Sequence, residues 1–290
     1  MLNFLKRIEN SIPSLPTISY QDRKAFDQIY KKLDQAYPHG TDAWGLNVKK
    51  AKRTLETIYP IYKHYFKVRT FGSEHVKDQN YMAIANHSGP IAIDAMLICT
   101  SFVTEVEPPR ILRSMVERFV TSLPFFGPWS AEGGSVLGDR QNCINLLNRK
   151  QSVLVFPEGV RGITKDSKDY YKLQSFTHGF YRLALATKVP ILPIAVIGAE
   201  EFYPFVYHAR SLAKLVGLPA LPISTNLIPL PSPVDIHIGK PIMPNFNLEY
   251  NSPDKDIAEE VFKIEKIIQN MIRVGLKKRR PFWVNREYDV

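Results

Sequence analysis

The chain has 290 residues, 44% of them hydrophobic, which is enough to bury a sizeable core and excludes a mainly disordered protein. Its two cysteines, Cys99 and Cys143, form neither a Cys-x-x-Cys pair nor a Cys/His cluster, so neither a disulfide framework nor a metal site is indicated and a reducing cytoplasm is the natural setting. A formal net charge of +10 calls for an anionic partner or surface, of which a membrane is the simplest.

In chain order, Leu2, Leu5, Ile8 and Ile12 share one helical face, but Glu9 and Pro13 interrupt it and no cleavage site follows, which argues against a signal peptide. Phe26, Ile29, Leu33 and Tyr37 predict a helix that Pro38-His39-Gly40 ends. Next, Lys49, Lys50, Lys52 and Arg53 alternate with Val48, Ala51, Leu55, Ile58 and Ile61, and Tyr59, Tyr62, Tyr65 and Phe66 follow. That mixture suits either a helix lying on anionic lipid or an amphipathic helix packed on the domain. Residues 81–85 predict a buried strand and residues 91–99 a packed helix, with His87 in the turn between them. Residues 152–156 predict a second buried strand, which delivers Pro157-Glu158-Gly159 and Arg161 into a loop. The apolar run 183–199 contains Lys188, Pro190 and Pro193 and reads as a helix end, a turn and a central strand. No stretch reaches the roughly twenty uninterrupted apolar residues of a membrane span. Residues 234–238 alternate like a half-buried strand, which makes His237 a surface histidine rather than a second base. Ser252-Pro253-Asp254 starts a helix carrying Ile257, Val261, Ile264, Ile268 and Met271 on one face. Lys277-Lys278-Arg279-Arg280 reads as a solvated tail or a grip on lipid head groups.

The chemistry concentrates in two segments, Asn86-His87-Ser88-Gly89-Pro90-Ile91-Ala92-Ile93-Asp94 and Phe156-Pro157-Glu158-Gly159-Val160-Arg161. A histidine paired with a carboxylate at a strand end can take a proton from a hydroxyl, the carboxylate fixing the tautomer and steadying the imidazolium. Ser88 lacks the Gly-x-Ser-x-Gly setting of a nucleophile elbow and is not read as a nucleophile.

These segments, with Gly134-Ser135-Val136-Leu137-Gly138-Asp139-Arg140 and the proline-bearing run Val189-Pro190-Ile191-Leu192-Pro193-Ile194, appear in the order seen in the glycerolipid acyltransferase family, the group that includes lysophosphatidate acyltransferases. The chain resembles that family over roughly residues 71 to 240. The common family pattern has four residues between histidine and aspartate, whereas six separate His87 from Asp94. Gly89-Pro90 offers a way to loop out the surplus; if the loop does not fold back, Asp94 is only a helix N-terminal residue.

The resemblance implies an α/β fold with a central mixed, mostly parallel sheet flanked by helices. An N-terminal helical segment (1–70) would precede an acyltransferase domain (71–290). It implies His87 and Asp94 as the catalytic pair and Gly134, Arg140, Glu158, Gly159 and Arg161 as substrate-binding residues. The two arginines would hold the phosphate of a lysophospholipid acceptor, since a guanidinium fork matches phosphate oxygens. Acyl-CoA or acyl-carrier-protein would be co-substrate, with no cofactor and no nucleic acid partner. The protein would work from the cytoplasm, peripheral on the inner face of an anionic membrane. The apolar, proline-rich stretch 202–233 would be a lid over an acyl channel, a bilayer wedge or a core-packing insertion.

Overall fold

The computed structural model describes residues 18–88, 92–163, 165, 169–203, 206–208, 222–224, 226 and 228–279. Helix α1 (Tyr20–Ala36) is capped by Ser19, whose hydroxyl accepts the Asp22 N–H at 3.1 Å. Helix α2 (Val48–Pro60) is capped by Asn47 and widens, just after Pro60, into a single π turn (Ile61–Tyr65). Pro60 lacks the N–H that would continue the ladder. There follow β1 (Arg69–Phe71), β2 (Met82–Ala85), α3 (Ile93–Thr104), β3 (Arg113–Val116), α4 (Arg118–Ser122), α5 (Phe126–Glu132) and β4 (Val136–Leu137). The chain continues through α6 (Arg140–Asn148), β5 (Val153–Val155), α7 (Val160–Ile163), α8 (Gly179–Thr187) and β6 (Ile191–Ile197). The hairpin strands β7 (Val206–His208) and β8 (Pro222–Ser224), then β9 (Asp235–Ile238) and α9 (Asp254–Lys278), complete it.

Seven strands form one sheet in the order β1-β9-β6-β2-β5-β3-β4. Every neighbouring pair is parallel except β6 with β9. This is the mixed, mostly parallel sheet that the resemblance implies. The strands are apolar on both sides because both faces are covered. Ala83, Ala85, Leu192, Ile194 and Val196 face a core that includes Leu97, Ile98 and Phe102 of α3, together with Tyr62 and Phe66. Met82, Ile84, Ile191 and Ala195 face the opposite core, with Leu146 of α6, Ala184 of α8 and Ile257, Val261, Ile264, Ile268 and Ile272 of α9. Val48, Leu55, Tyr62 and Phe66 are all buried, so the apolar side of α2 and its π turn packs on the domain, with Tyr59 and Tyr65 partly buried against the same core.

Two readings at the carboxyl end need correction. His237 is half-buried, stacked on Phe71 at 4.8 Å, and a Cβ on Gly275 of α9 would stand 2.8 Å from its Nε2; burial lowers its pKa. It is not a surface histidine. Arg279 is not tail: it donates to both carboxylate oxygens of Glu201, to Ser232 Oγ at 2.8 Å and to the Pro233 carbonyl at 3.0 Å. Arg280 and most of the stretch 202–233 lie outside the described residues, as do Leu2, Leu5, Ile8 and Ile12. No helix among the described residues is long and apolar enough to cross a membrane.

Candidate active site

Parallel strands β2, β5, β3 and β4 end along one edge of the sheet, where α/β folds place their chemistry. Directly after β2, the Asn86 side chain pairs with β6 as backbone would, donating to the Val196 carbonyl at 2.9 Å and accepting its N–H at 2.8 Å. That bond pins the start of the turn. His87 follows, with Nδ1 2.7 Å from Asp94 Oδ2. Asp94 is fully buried in the first turn of α3, where a carboxylate is favoured by the helix dipole, and its Oδ2 also accepts the Ser88 N–H at 2.9 Å. The wider spacing therefore keeps the pair in contact; Gly89, Pro90 and Ile91 themselves lie outside the described residues.

Since the Asp94 carboxylate can only accept, Nδ1 carries the proton and Nε2 presents its lone pair. The Phe156 ring stacks on the imidazole at 4.2 Å and 24°, fixing its plane, while the His87 side chain keeps 14% of its surface exposed. The pair is thus oriented, partly screened and reachable.

Glu158 arrives from the loop after β5 with its side chain wholly buried. Its Oε1 accepts the His87 N–H at 2.9 Å; its Oε2 accepts the Gln174 N–H at 2.7 Å and pairs with Lys165 Nζ at 2.9 Å. With both oxygens committed, Glu158 holds the backbone of the turn that carries His87 rather than Arg161. Lys165 also donates to the His87 carbonyl at 3.4 Å and pairs with Glu200 at 3.1 Å, so His87 is held through both its N–H and its C=O. Gly162 permits this closeness, because a Cβ there would meet His87 Cβ at 2.9 Å and Glu158 Cβ at 3.0 Å. Gly159 makes the preceding turn with φ 58°.

One ammonium between two buried carboxylates leaves an excess negative charge, and burial with Glu158 nearby pushes Glu200 up from the ordinary carboxylate range to about 7. Between about pH 4.5 and 7 the unfolded chain gives up this proton while the folded one keeps it, so this group's contribution to stability falls as pH rises through that window. Glu200→Gln is expected to flatten that part of the stability curve, read as urea midpoint against pH. Identical slopes in the two proteins would refute the assignment.

The remaining expected site residues divide. Arg161 leaves the same loop, exposed, and donates to the Ser175 carbonyl at 2.7 Å. Arg140 starts α6 at the same sheet edge, three strands from β2, with its guanidinium 5.1 Å from the centre of the Tyr250 ring. Gly134 requires correction. It lies before β4, level with the strand starts, and its carbonyl accepts Arg113 Nε at 2.8 Å, which makes it a support for that buried arginine rather than a substrate contact.

Comparison with known proteins matches residues 67–197 to the family described as Acyltransferase, a span that runs from just before β1 to the end of β6. That span is an acyltransferase domain, and its motifs are similar to those of glycerolipid acyltransferases. A Mycobacterium tuberculosis protein of uncharacterised function is 32% identical over 237 residues, 77% of this chain and 65% of that one, so the chain spans just under two thirds of such relatives. The 1-acyl-sn-glycerol-3-phosphate acyltransferase of Saccharomyces cerevisiae is 27% identical over 55% of this chain and 52% of its own. A human enzyme named for DGAT1/2-independent synthesis of storage lipids is 24% identical over 75% of this chain and 66% of its own. The fold also matches the crystal structure of the 1-acyl-sn-glycerophosphate acyltransferase PlsC from Thermotoga maritima, with TM-score 0.52 and 20% identity over 79% of this chain and 82% of that one.

Around His87, sequence reasoning missed Lys165, Glu200 and Gln174. The signal that reaches them is topological: β5 and β6 flank β2, so the residues leaving both strands must converge on His87.

Proposed function

We propose that the protein transfers a fatty acyl group from acyl-CoA or acyl-carrier-protein to the hydroxyl of a phosphorylated glycerolipid such as lysophosphatidate. It does so as a peripheral protein on the cytoplasmic face of the membrane, with His87 as general base. The observation that carries this reading is the 2.7 Å Nδ1 to Asp94 contact on a partly exposed imidazole. His87 Nε2 takes the acceptor's proton as its oxygen attacks the thioester carbonyl. The tetrahedral intermediate then expels the thiolate, which recovers the proton from the imidazolium. An ester and a free thiol result, with no covalent enzyme intermediate and no cofactor.

Arg161 and Arg140 support a phosphorylated acceptor, since both stand at the strand-end edge with exposed guanidinium groups. A second reading, a non-phosphorylated lipid acceptor, is favoured by the place of Arg140 over Tyr250 and by the relative named for storage lipids. Release of CoA thiol from acyl-CoA with lysophosphatidate or a monoacylglycerol separates them. Arg161→Ala and Arg140→Ala are expected to raise KM for the phosphorylated acceptor at least about tenfold, and to leave KM for a neutral one within about twofold. Equal effects on both acceptors would favour the second reading, and absence of thiol release with either would end the enzymatic one.

A further inference from the structure

The segment between β3 and β4 leaves the sheet at the edge that carries His87, one strand beyond β5. Its two short helices, α4 and α5, meet at Phe125, which has φ 63° and is 92% exposed. Phe119, Leu123, Phe126 and Trp129 are 40–43% exposed around it, and Phe126 packs on Trp129 with ring centres 5.4 Å apart. The Phe126 N–H donates to the Pro124 carbonyl at 2.7 Å across Phe125, whose φ of 63° and ψ of −46° make a γ-turn of the positive-φ form, a conformation glycine takes at least steric cost; here a phenylalanine is held outward in it. Solvent gives no reason for it.

The polar groups of the segment are compatible with a low-dielectric medium. From Phe119 to Ala131 no residue is charged. The hydroxyls of Thr121, Ser122 and Ser130 donate to the Arg118, Phe119 and Gly127 carbonyls at 2.7, 2.7 and 2.9 Å, so none enters hydrocarbon unpaired. Charge resumes at the base. The Asn47 N–H donates to the Glu132 carbonyl at 3.0 Å and Lys50 pairs with the Glu132 carboxylate, which fastens the start of α2, with exposed Lys49 and Arg53, beside the end of α5. An apolar tip of phenylalanine and tryptophan above a basic collar is the arrangement that inserts into the boundary of an anionic bilayer.

We propose that residues 118–132 form a wedge that enters an anionic lipid bilayer, with Phe125 deepest, and thereby sets the sheet edge carrying His87 against the membrane surface. The inference rests on the acyl-transfer reading only for why lipid should be present at that edge.

The test is sedimentation with phosphatidylcholine vesicles with and without phosphatidylglycerol, with Trp fluorescence quenching by brominated lipid. Wild type is expected to bind the anionic vesicles. Phe125→Glu and Phe125→Gly, the second free to adopt the γ-turn, are expected to weaken binding about tenfold or more. Both are expected to keep acyl transfer to a monomeric short-chain lysophosphatidate within about twofold of wild type. Unchanged vesicle binding in both variants would overturn the proposal, and so would loss of a wild-type dimer in the variants, which would assign the wedge to a second copy of the chain. Vesicle binding that depends on Phe125 in a protein with no acyl transfer would leave the wedge standing and remove the proposed function.

Discussion

His87→Ala is expected to lower kcat for thiol release by about 10²–10⁴, the range a positioned general base contributes, with KM for the acyl donor little changed. In the proposed mechanism the donor binds without the imidazole, whereas proton removal from the acceptor happens only as the bond forms. Asp94→Asn is expected to reduce kcat within the same range for a different reason. The amide oxygen still accepts from Nδ1 or from the Ser88 N–H, but the negative charge that steadies the imidazolium is gone. Ser88→Ala is the contrasting control. Its hydroxyl is 3.4 Å from Asp94 Oδ2, a long contact whose loss is expected to change kcat less than about threefold. Steady-state rates at saturating donor and acceptor, with melting curves to establish folding, measure all three. A folded His87→Ala protein with undiminished kcat would take the pair out of the chemistry.

The sequence carried those features of the fold that repeat along the chain. Apolar runs at 81–85 and 152–156 read as strands because a strand covered on both faces has no polar alternation, and Met82 to Ala85 is indeed buried residue by residue. The long amphipathic helix after Pro253 was equally legible, since one face had to meet the sheet. What the sequence left open was decided by contacts between distant segments. The nature of α2 turned on whether Tyr62 and Phe66 found a core, and they did, against α3 and β6. Arg279 sits in a basic run that looks solvated, but Glu201, far away in sequence, receives it in the interior. The His87 and Asp94 spacing was ambiguous for the same reason: only the first turn of α3, directed back at the end of β2, decides that the two side chains meet.

The buried charges around Glu158 give the second large effect. Lys165→Met would leave the Glu158 carboxylate in the interior with two backbone N–H donors and no cation, and breaking a buried pair in this way costs about 3–5 kcal/mol. Desolvation already paid for by the ion pair becomes uncompensated, which is why removing one partner costs more than removing both. Glu158→Gln with Lys165→Met is therefore expected to be less destabilised than the sum of the single variants by about 1–3 kcal/mol in urea unfolding. Both single variants are also expected to lower kcat about tenfold or more while KM for either substrate moves less, because Glu158 and Lys165 are buried and bond to His87 through its backbone. Lys165→Arg, which keeps the charge but not its compact shape, is expected to fall between wild type and Lys165→Met in both readouts. Additive stabilities would mean that the two groups are not coupled. Loss of stability with full kcat would mean that the clamp serves the fold alone, and that Asp94 and Phe156 suffice to hold the imidazole.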